Sequence, residues 1–185
     1  SYRDSFCGNS KYQNPNLFIA TARAGNVIGG GDWAKDRLVP DIVRSLSLKK
    51  SIVLRNSKSI RPWQHVLDPL SGYLCLAKEL YECQSLNKVN KEIFTSAFNF
   101  GPNISSLKTV EELVQKFVQF WEDEYEIEFI TSEYHEENIL NLASEKAIKY
   151  LEWHPKWNFE KTIQNTANWY FEVHKGEEAF NKCLE

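Results

Sequence analysis

Leu17-Phe-Ile-Ala-Thr-Ala-Arg23 lies between Asn14-Pro-Asn16 and the glycine-bearing run Ala24-Gly-Asn-Val-Ile-Gly-Gly-Gly-Asp-Trp33. Its apolar residues follow one another without alternation, too briefly for a buried helix, and turn formers close both ends. Such a run reads as a strand covered on both faces of a parallel sheet. Working outward, apolar residues recur at Leu38, Val39, Ile42, Val43 and Leu46, a helical period over 37–48 that tolerates Pro40 in its first turn. Ile52-Val-Leu54 reads as a short strand and residues 60–66 as extended chain. Asp68, followed by Pro69, is expected to N-cap an amphipathic helix reaching about Cys83. A polar loop over 84–92 precedes a buried strand, Ser96-Ala-Phe-Asn-Phe100, ended by Gly101-Pro102. Thr109 and Glu112 have capping-box spacing for a helix to Trp121, and 126–131 alternates as a strand does. Residues 144–151 and 159–174 are expected to be the closing helices, and 1–8 the last turns of a helix closed by Gly8. Strands alternating with helices predict an α/β fold with a largely parallel sheet.

The 185 residues are 42% hydrophobic and 14% aromatic, ample for a packed core. Lys and Arg number 22 against 25 Asp and Glu, a balance that speaks against a nucleic-acid partner, which calls for a basic face. Positive potential is therefore local, with Arg23, Arg37, Arg55 and Arg61 as candidates. No apolar run approaches a membrane span. The four cysteines show neither CxxC nor zinc-ligand spacing, so a reduced, cytoplasmic chain is expected. The chain has no methionine and is expected to be part of something longer.

Two segments concentrate chemistry: 23–33 and Arg61-Pro-Trp-Gln-His65, each too irregular in pattern for a periodic helix or strand. Glycine lets backbone N–H groups approach an anion, and the guanidinium fork matches phosphate oxygens. The plainer reading of Gly29-Gly-Gly31 is a flexible turn, since G-x-G-x-x-G spacing and a P-loop lysine are both lacking. What raises it is Asn26 before it and Arg37 at the next helix start, where helix N-termini favour anions. Pro62 forces Arg61 into extended chain. Trp63 reads as core, and His65 as a structural histidine before a catalytic one. Residues 135–137, His-Glu-Glu, read as a solvated turn, because adjacent side chains converge poorly on one ion. Residues 132–134, Ser-Glu-Tyr, give no reason to invoke a nucleophile.

Residues 21–33 with Asp36-Arg-Leu-Val-Pro-Asp-Ile42, and Ile60-Arg-Pro-Trp-Gln-His-Val-Leu-Asp-Pro-Leu-Ser-Gly-Tyr-Leu74, closely resemble the CDP-glucose 4,6-dehydratase family. Phe98-Asn-Phe-Gly-Pro102 and Trp153-His-Pro-Lys-Trp157 fit it too. That family belongs to the extended short-chain dehydrogenase/reductases acting on nucleotide sugars, and the likeness covers essentially the whole chain as the C-terminal part of such an enzyme. It implies Rossmann-type parallel strands plus a small substrate-binding region. The remaining NAD-binding part is expected at 1–29 and 60–101, and the nucleotide-sugar region at 30–59 and 102–185. It implies a lyase reaction in three stages on CDP-glucose: oxidation at C4, loss of water across C5–C6, and return of the hydride to C6. A C4 ketone acidifies the C5 proton, which makes the elimination feasible. Residues 141–146 keep the family's general pattern, but Ala143 and Glu145 stand where an acidic and a small polar residue are usual.

The resemblance also implies roles. Asn26 would bond the pyrophosphate side of the sugar nucleotide, Ala24 and Gly25 would pass the nicotinamide, and Arg37 and Leu38 would open the helix facing the nucleotide. Val53, Leu54 and Arg55 would form the strand beside the base, and Arg61 would clamp the diphosphate. No catalytic or metal-binding residue is expected in this chain. None of its eight tyrosines has a lysine four positions on, so the family's Tyr-x-x-x-Lys pair is lacking here. NAD would be bound mainly by a preceding N-terminal part, the isolated chain would be inactive, and the full-length enzyme would be a homodimer. Without that part, the strand at 17–23 is expected to lack neighbours and to leave apolar faces open. Rival readings are another epimerase or dehydratase of the superfamily, and a non-catalytic nucleotide-sugar-binding module.

Overall fold

The computed structural model describes residues 2–85, 91–122, 124–130 and 139–184. In chain order its elements are α1 (Tyr2–Phe6), β1 (Thr21–Ala24), β2 (Asn26–Ile28), α2 (Leu38–Ser47), β3 (Ile52–Arg55), β4 (Ile60–His65) and α3 (Leu67–Ser85). Then come α4 (Lys91–Phe94), β5 (Ala97–Phe100), a 3-10 turn (Ile104–Ser106), β6 (Leu107–Thr109) and α5 (Val110–Val118). The chain closes with β7 (Ile127–Ile130), α6 (Glu145–Leu151), α7 (Phe159–His174) and α8 (Ala179–Lys182). The expected α/β class holds, with three parallel strand pairs: β1 with β5, β2 with β4, and β3 with β7. An antiparallel pair, β4 with β6, was not anticipated.

The chain forms two compact units. The first comprises Ser1–Ala24, Leu67–Gly101 and Leu142–Pro155. Its core gathers Leu76 and Cys83 of α3, Phe94, Phe98 and Phe100, Ala147 of α6 and Trp153. A Cβ at Gly72 would run into the Phe100 ring, so glycine lets α3 close on β5. The Trp153 indole N–H reaches the Ser71 hydroxyl at 3.0 Å and the Asp68 carbonyl at 3.3 Å. Asp68 sits one place inside α3 rather than at its cap, since the helix begins at Leu67. Leu67, Leu70, Leu74 and Tyr81 of this helix are exposed.

The strand expected at 17–23 differs from expectation in two ways. It is shorter, Thr21–Ala24, and its first three residues are exposed instead of covered on both faces. It also has a neighbour: Thr21 to Ala24 lie in register with Ala97 to Phe100 of β5. Double-sided burial needs helices on both faces and strands on both sides. Among the described residues β5 is the only partner of β1.

The second unit comprises Gly25–Val66, Pro102–Asn141 and Lys156–Glu185. Its core joins the inner faces of α2 (Val39, Ile42, Val43, Leu46), α5 (Leu113, Val114, Phe117, Val118) and α7 (Ile163, Ala167, Trp169, Tyr170) with Ile52, Leu54 and Trp63. These are the positions that helical periodicity marked in α2. Helix α7 has the expected bounds, with Asn158 as N-cap accepting from the Lys161 N–H. The capping box of α5 is present: the Thr109 hydroxyl accepts the Glu112 N–H at 3.0 Å, and the Glu112 carboxylate accepts the Thr109 N–H at 2.8 Å. The stretch read as pure loop contains β2, because Asn26–Ile28 finds a parallel partner in Trp63–His65. Strand β7 covers Ile127–Ile130 of the expected 126–131 segment, and Thr131 lies outside the described residues, as do 86–90, most of the expected polar loop.

The Thr109 N–H, set against partial burial, and then the Thr109 hydroxyl and Lys108 hold the Glu112 carboxyl below its ordinary value. A depressed carboxyl pKa contributes stability that is complete above the ordinary carboxylate range and is lost as pH falls through the folded-state value. Thr109→Ala is expected to cost about 1 kcal/mol in chemical denaturation. In thermal melts, the gap between wild type and Glu112→Gln is expected to narrow as the pH is lowered through the carboxylate range.

Candidate functional site

Register fixes which of the expected contacts share a surface. Asn26 opposes Trp63 in the parallel β2–β4 pair, and Arg61 opposes Lys108 in the antiparallel β4–β6 pair. Residues two apart on a strand point the same way, so Asn26, Arg61 and Trp63 belong to one face of this three-stranded sheet. Asn26 and Arg61 are half-buried there. The Arg61 guanidinium donates to the Ile60 carbonyl at 2.9 Å. Lys108 is engaged with Glu112 at 3.3 Å. Trp63 is core, as read, and its indole N–H is bonded to the Lys108 carbonyl at 2.9 Å.

Strand β3 alternates strictly: Val53 and Arg55 are exposed, while the Leu54 side chain is buried in the core. The strand thus shows outward an apolar and a cationic side chain, while Leu54 lies in register with Phe129 of β7. Arg37 occupies the N-cap of α2 in extended conformation, makes no side-chain cap bond and is exposed; Leu38 begins the helix, half-buried. Ala24, half-buried, ends β1 in the first unit as the partner of Phe100, and Gly25 follows it.

The triple glycine has a packing role. At Gly30 a Cβ would collide with the Trp169 indole, so the backbone lies directly on that ring. Gly31 takes φ +85°, a conformation that L side chains rarely adopt, with the indole 3.7 Å from where its Cβ would stand. Beyond it the Tyr170 hydroxyl donates to the Asp32 carbonyl at 2.6 Å, and the Trp33 ring meets Tyr170 edge-on at 5.2 Å. The Arg44 guanidinium donates to the Trp33 and Ala34 carbonyls, 3.1 Å each, and to the Asp41 carboxylate. Sequence reading missed Arg44 and Tyr170. Their only signal was helical phase, which set Tyr170 on the inner side of its helix.

His65 is buried, its ring against that of Trp157 in a tilted contact with centroids 4.3 Å apart, an environment that fits the structural reading. Among the described residues no three His, Cys, Asp or Glu side chains are grouped as a metal ion would require. Residues 132–137 lie outside the described residues. No described helix is long and apolar enough to cross a membrane.

No protein-family model matches the chain. Over 96% of its length it is 41% identical to CDP-glucose 4,6-dehydratase of Salmonella typhimurium, of which it covers 48%. The expected resemblance is therefore present across the chain, which spans about half the length of that relative. Among solved structures, dTDP-glucose 4,6-dehydratase of Streptomyces venezuelae with NAD bound matches 96% of this chain and 48% of its own, with TM-score 0.70 and 16% identity. The dTDP-glucose 4,6-dehydratase of Bacillus anthracis in complex with NAD matches 85% and 46%, with TM-score 0.66 and 22% identity. UDP-glucuronic acid 4-epimerase of Bacillus cereus, with UDP-glucuronic acid and NAD, matches 86% and 47%, with TM-score 0.69 and 13% identity. The fold is thus that of the extended short-chain dehydratases and epimerases, of which these structures are members.

Gly30→Ala is expected to destabilise the chain by about 1–3 kcal/mol in urea unfolding, because a buried indole must move. Burial first, and then the nearby Asp32 carboxylate, push the Tyr170 phenol up to about 12. A raised phenol pKa gives stability that is complete below the unfolded value of about 10 and is lost as pH rises through the folded one. Absorbance titration at alkaline pH is expected to show a late-titrating phenol, which Tyr170→Phe removes.

Proposed function

We propose that this chain is the C-terminal, nucleotide-sugar-binding portion of a CDP-glucose 4,6-dehydratase, a cytoplasmic lyase converting CDP-glucose to CDP-4-keto-6-deoxyglucose with loss of water. The observation that carries this reading is 41% identity across 96% of the chain to the Salmonella enzyme. The sheet supports it, since Asn26 and Arg61 share one face. On that face they take the diphosphate, Arg61 by its guanidinium and Asn26 by its amide. Arg37 and Leu38 receive the nucleotide at the start of α2. Val53 and Arg55 approach the base by side chain, with Leu54 between them. The chain's own part is to select and orient the substrate.

NAD, when bound, supplies the hydride acceptor and donor, and we assign most of its contacts to residues outside this chain. Ala24, with Gly25 after it, fits the nicotinamide end, because ligands of open α/β sheets bind at the carboxyl ends of the strands. Near the same end of the first unit, the buried amide oxygen of Asn99 has no hydrogen-bond partner among the described residues, while its NH2 group reaches the Ala143 carbonyl at 3.3 Å. That leaves an acceptor uncommitted beside Phe100, the partner of Ala24. In this reading 1–29 and 60–101 are the remainder of the NAD-binding domain, 30–59 and 102–185 are the nucleotide-sugar region, and the full-length enzyme is a homodimer.

Calorimetry of the chain with CDP, dTDP, GDP and UDP is expected to give CDP the tightest binding. Preference for another nucleotide would favour a different dehydratase or an epimerase of the superfamily. Arg61→Ala is expected to weaken CDP binding by about 2–5 kcal/mol, and unchanged affinity would remove Arg61 from the site. With NAD and CDP-glucose the isolated chain is expected to form no 4-keto product; measurable dehydration would overturn the placement of the chemistry elsewhere.

A further inference from the structure

We infer that Arg44 and Tyr170 are positioning residues for the nucleotide-sugar site, fixing the segment that joins Asn26 to Arg37. The inference rests on the nucleotide-binding reading above. Residues 30–37 are all exposed, so burial alone does not determine their path. What determines it is a set of side-chain donors on successive carbonyls: Tyr170 to Asp32 at 2.6 Å, then Arg44 to Trp33 and to Ala34 at 3.1 Å each. Asp41, one turn before Arg44 on α2, accepts from the same guanidinium and orients it. The Asp32 carboxylate accepts the Ala34 N–H at 2.9 Å, closing the turn. Gly30 and Gly31 on Trp169 anchor the other end. The segment is thus tied to two helices, and Arg37 stands three residues beyond its last tie.

The Arg44 side chain is 34% exposed and that of Asp41 50%, so their ion pair is screened and adds little to folding. Its effect falls on pre-organisation. A segment that holds the binding geometry only part of the time lowers apparent affinity by that fraction. Lysine is no substitute, because one ammonium does not reproduce a planar fork spanning two carbonyls and a carboxylate.

The test compares wild type, Arg44→Ala, Arg44→Lys and Tyr170→Phe for CDP affinity by calorimetry, for thermal stability, and for amide exchange over 29–37. The expected result is a loss in CDP affinity of about tenfold for Arg44→Ala, as for a segment competent a tenth of the time. Faster exchange confined to that segment and a nearly unchanged melting temperature should accompany it. Arg44→Lys should not rescue, and Tyr170→Phe should show a smaller loss. Full CDP affinity in Arg44→Ala, or full rescue by lysine, overturns the inference while leaving the nucleotide site standing. A wild-type chain that binds no CDP overturns both.

Discussion

With no side chain at position 30, the backbone between β2 and α2 comes down onto the indole of Trp169, and the donors that hold the following segment depend on that approach. Any larger residue would hold the segment off α7 and pull the Asp32 carbonyl from the Tyr170 hydroxyl. Trp33 would then leave the Tyr170 ring. The same descent carries the chain to Arg44 and delivers Arg37 to the start of α2. One close contact thus links a strand bearing an amide to a helix bearing a guanidinium. The Trp169 indole is itself packed in the core, so such a contact acts as a fixed point.

Much of this was legible in the sequence, where local chemistry decides structure. The Thr109–Glu112 box, the bounds of α7 and the buried face of α2 depend on spacing within a few residues, and each formed as read. What escaped depends on partners distant in the chain. Asn26–Ile28 becomes a strand only because Trp63–His65 lies alongside, and Leu107–Thr109 only because Ile60–Pro62 does. The exposure of Thr21–Arg23 was unreadable for the same reason: an apolar run states what a strand prefers, not whether cover is present. The site divided likewise. Arg37 and Arg61 were visible by residue type, whereas Arg44 gains its role from carbonyls ten and eleven residues earlier.

The triple glycine shows how a functional signal and a structural one coincide. Its composition suggests an anion cradle, yet the residues that the space serves are Trp169 and Tyr170. Proximity of such a run to a proposed phosphate site does not require the glycines to touch phosphate. They let the backbone settle on Trp169, and backbone permissiveness at one place sets the path of the flanking residues at another.

The edge-on seat of Trp33 on Tyr170 also makes the segment optically addressable. Trp63, Trp121, Trp153 and Trp169 are each at most 9% exposed, whereas Trp33 is 51% exposed. Of the chain's six indoles it is the one most open to a collisional quencher in solvent. An unlabelled sample carries its own reporter on the stretch between the proposed contacts Asn26 and Arg37.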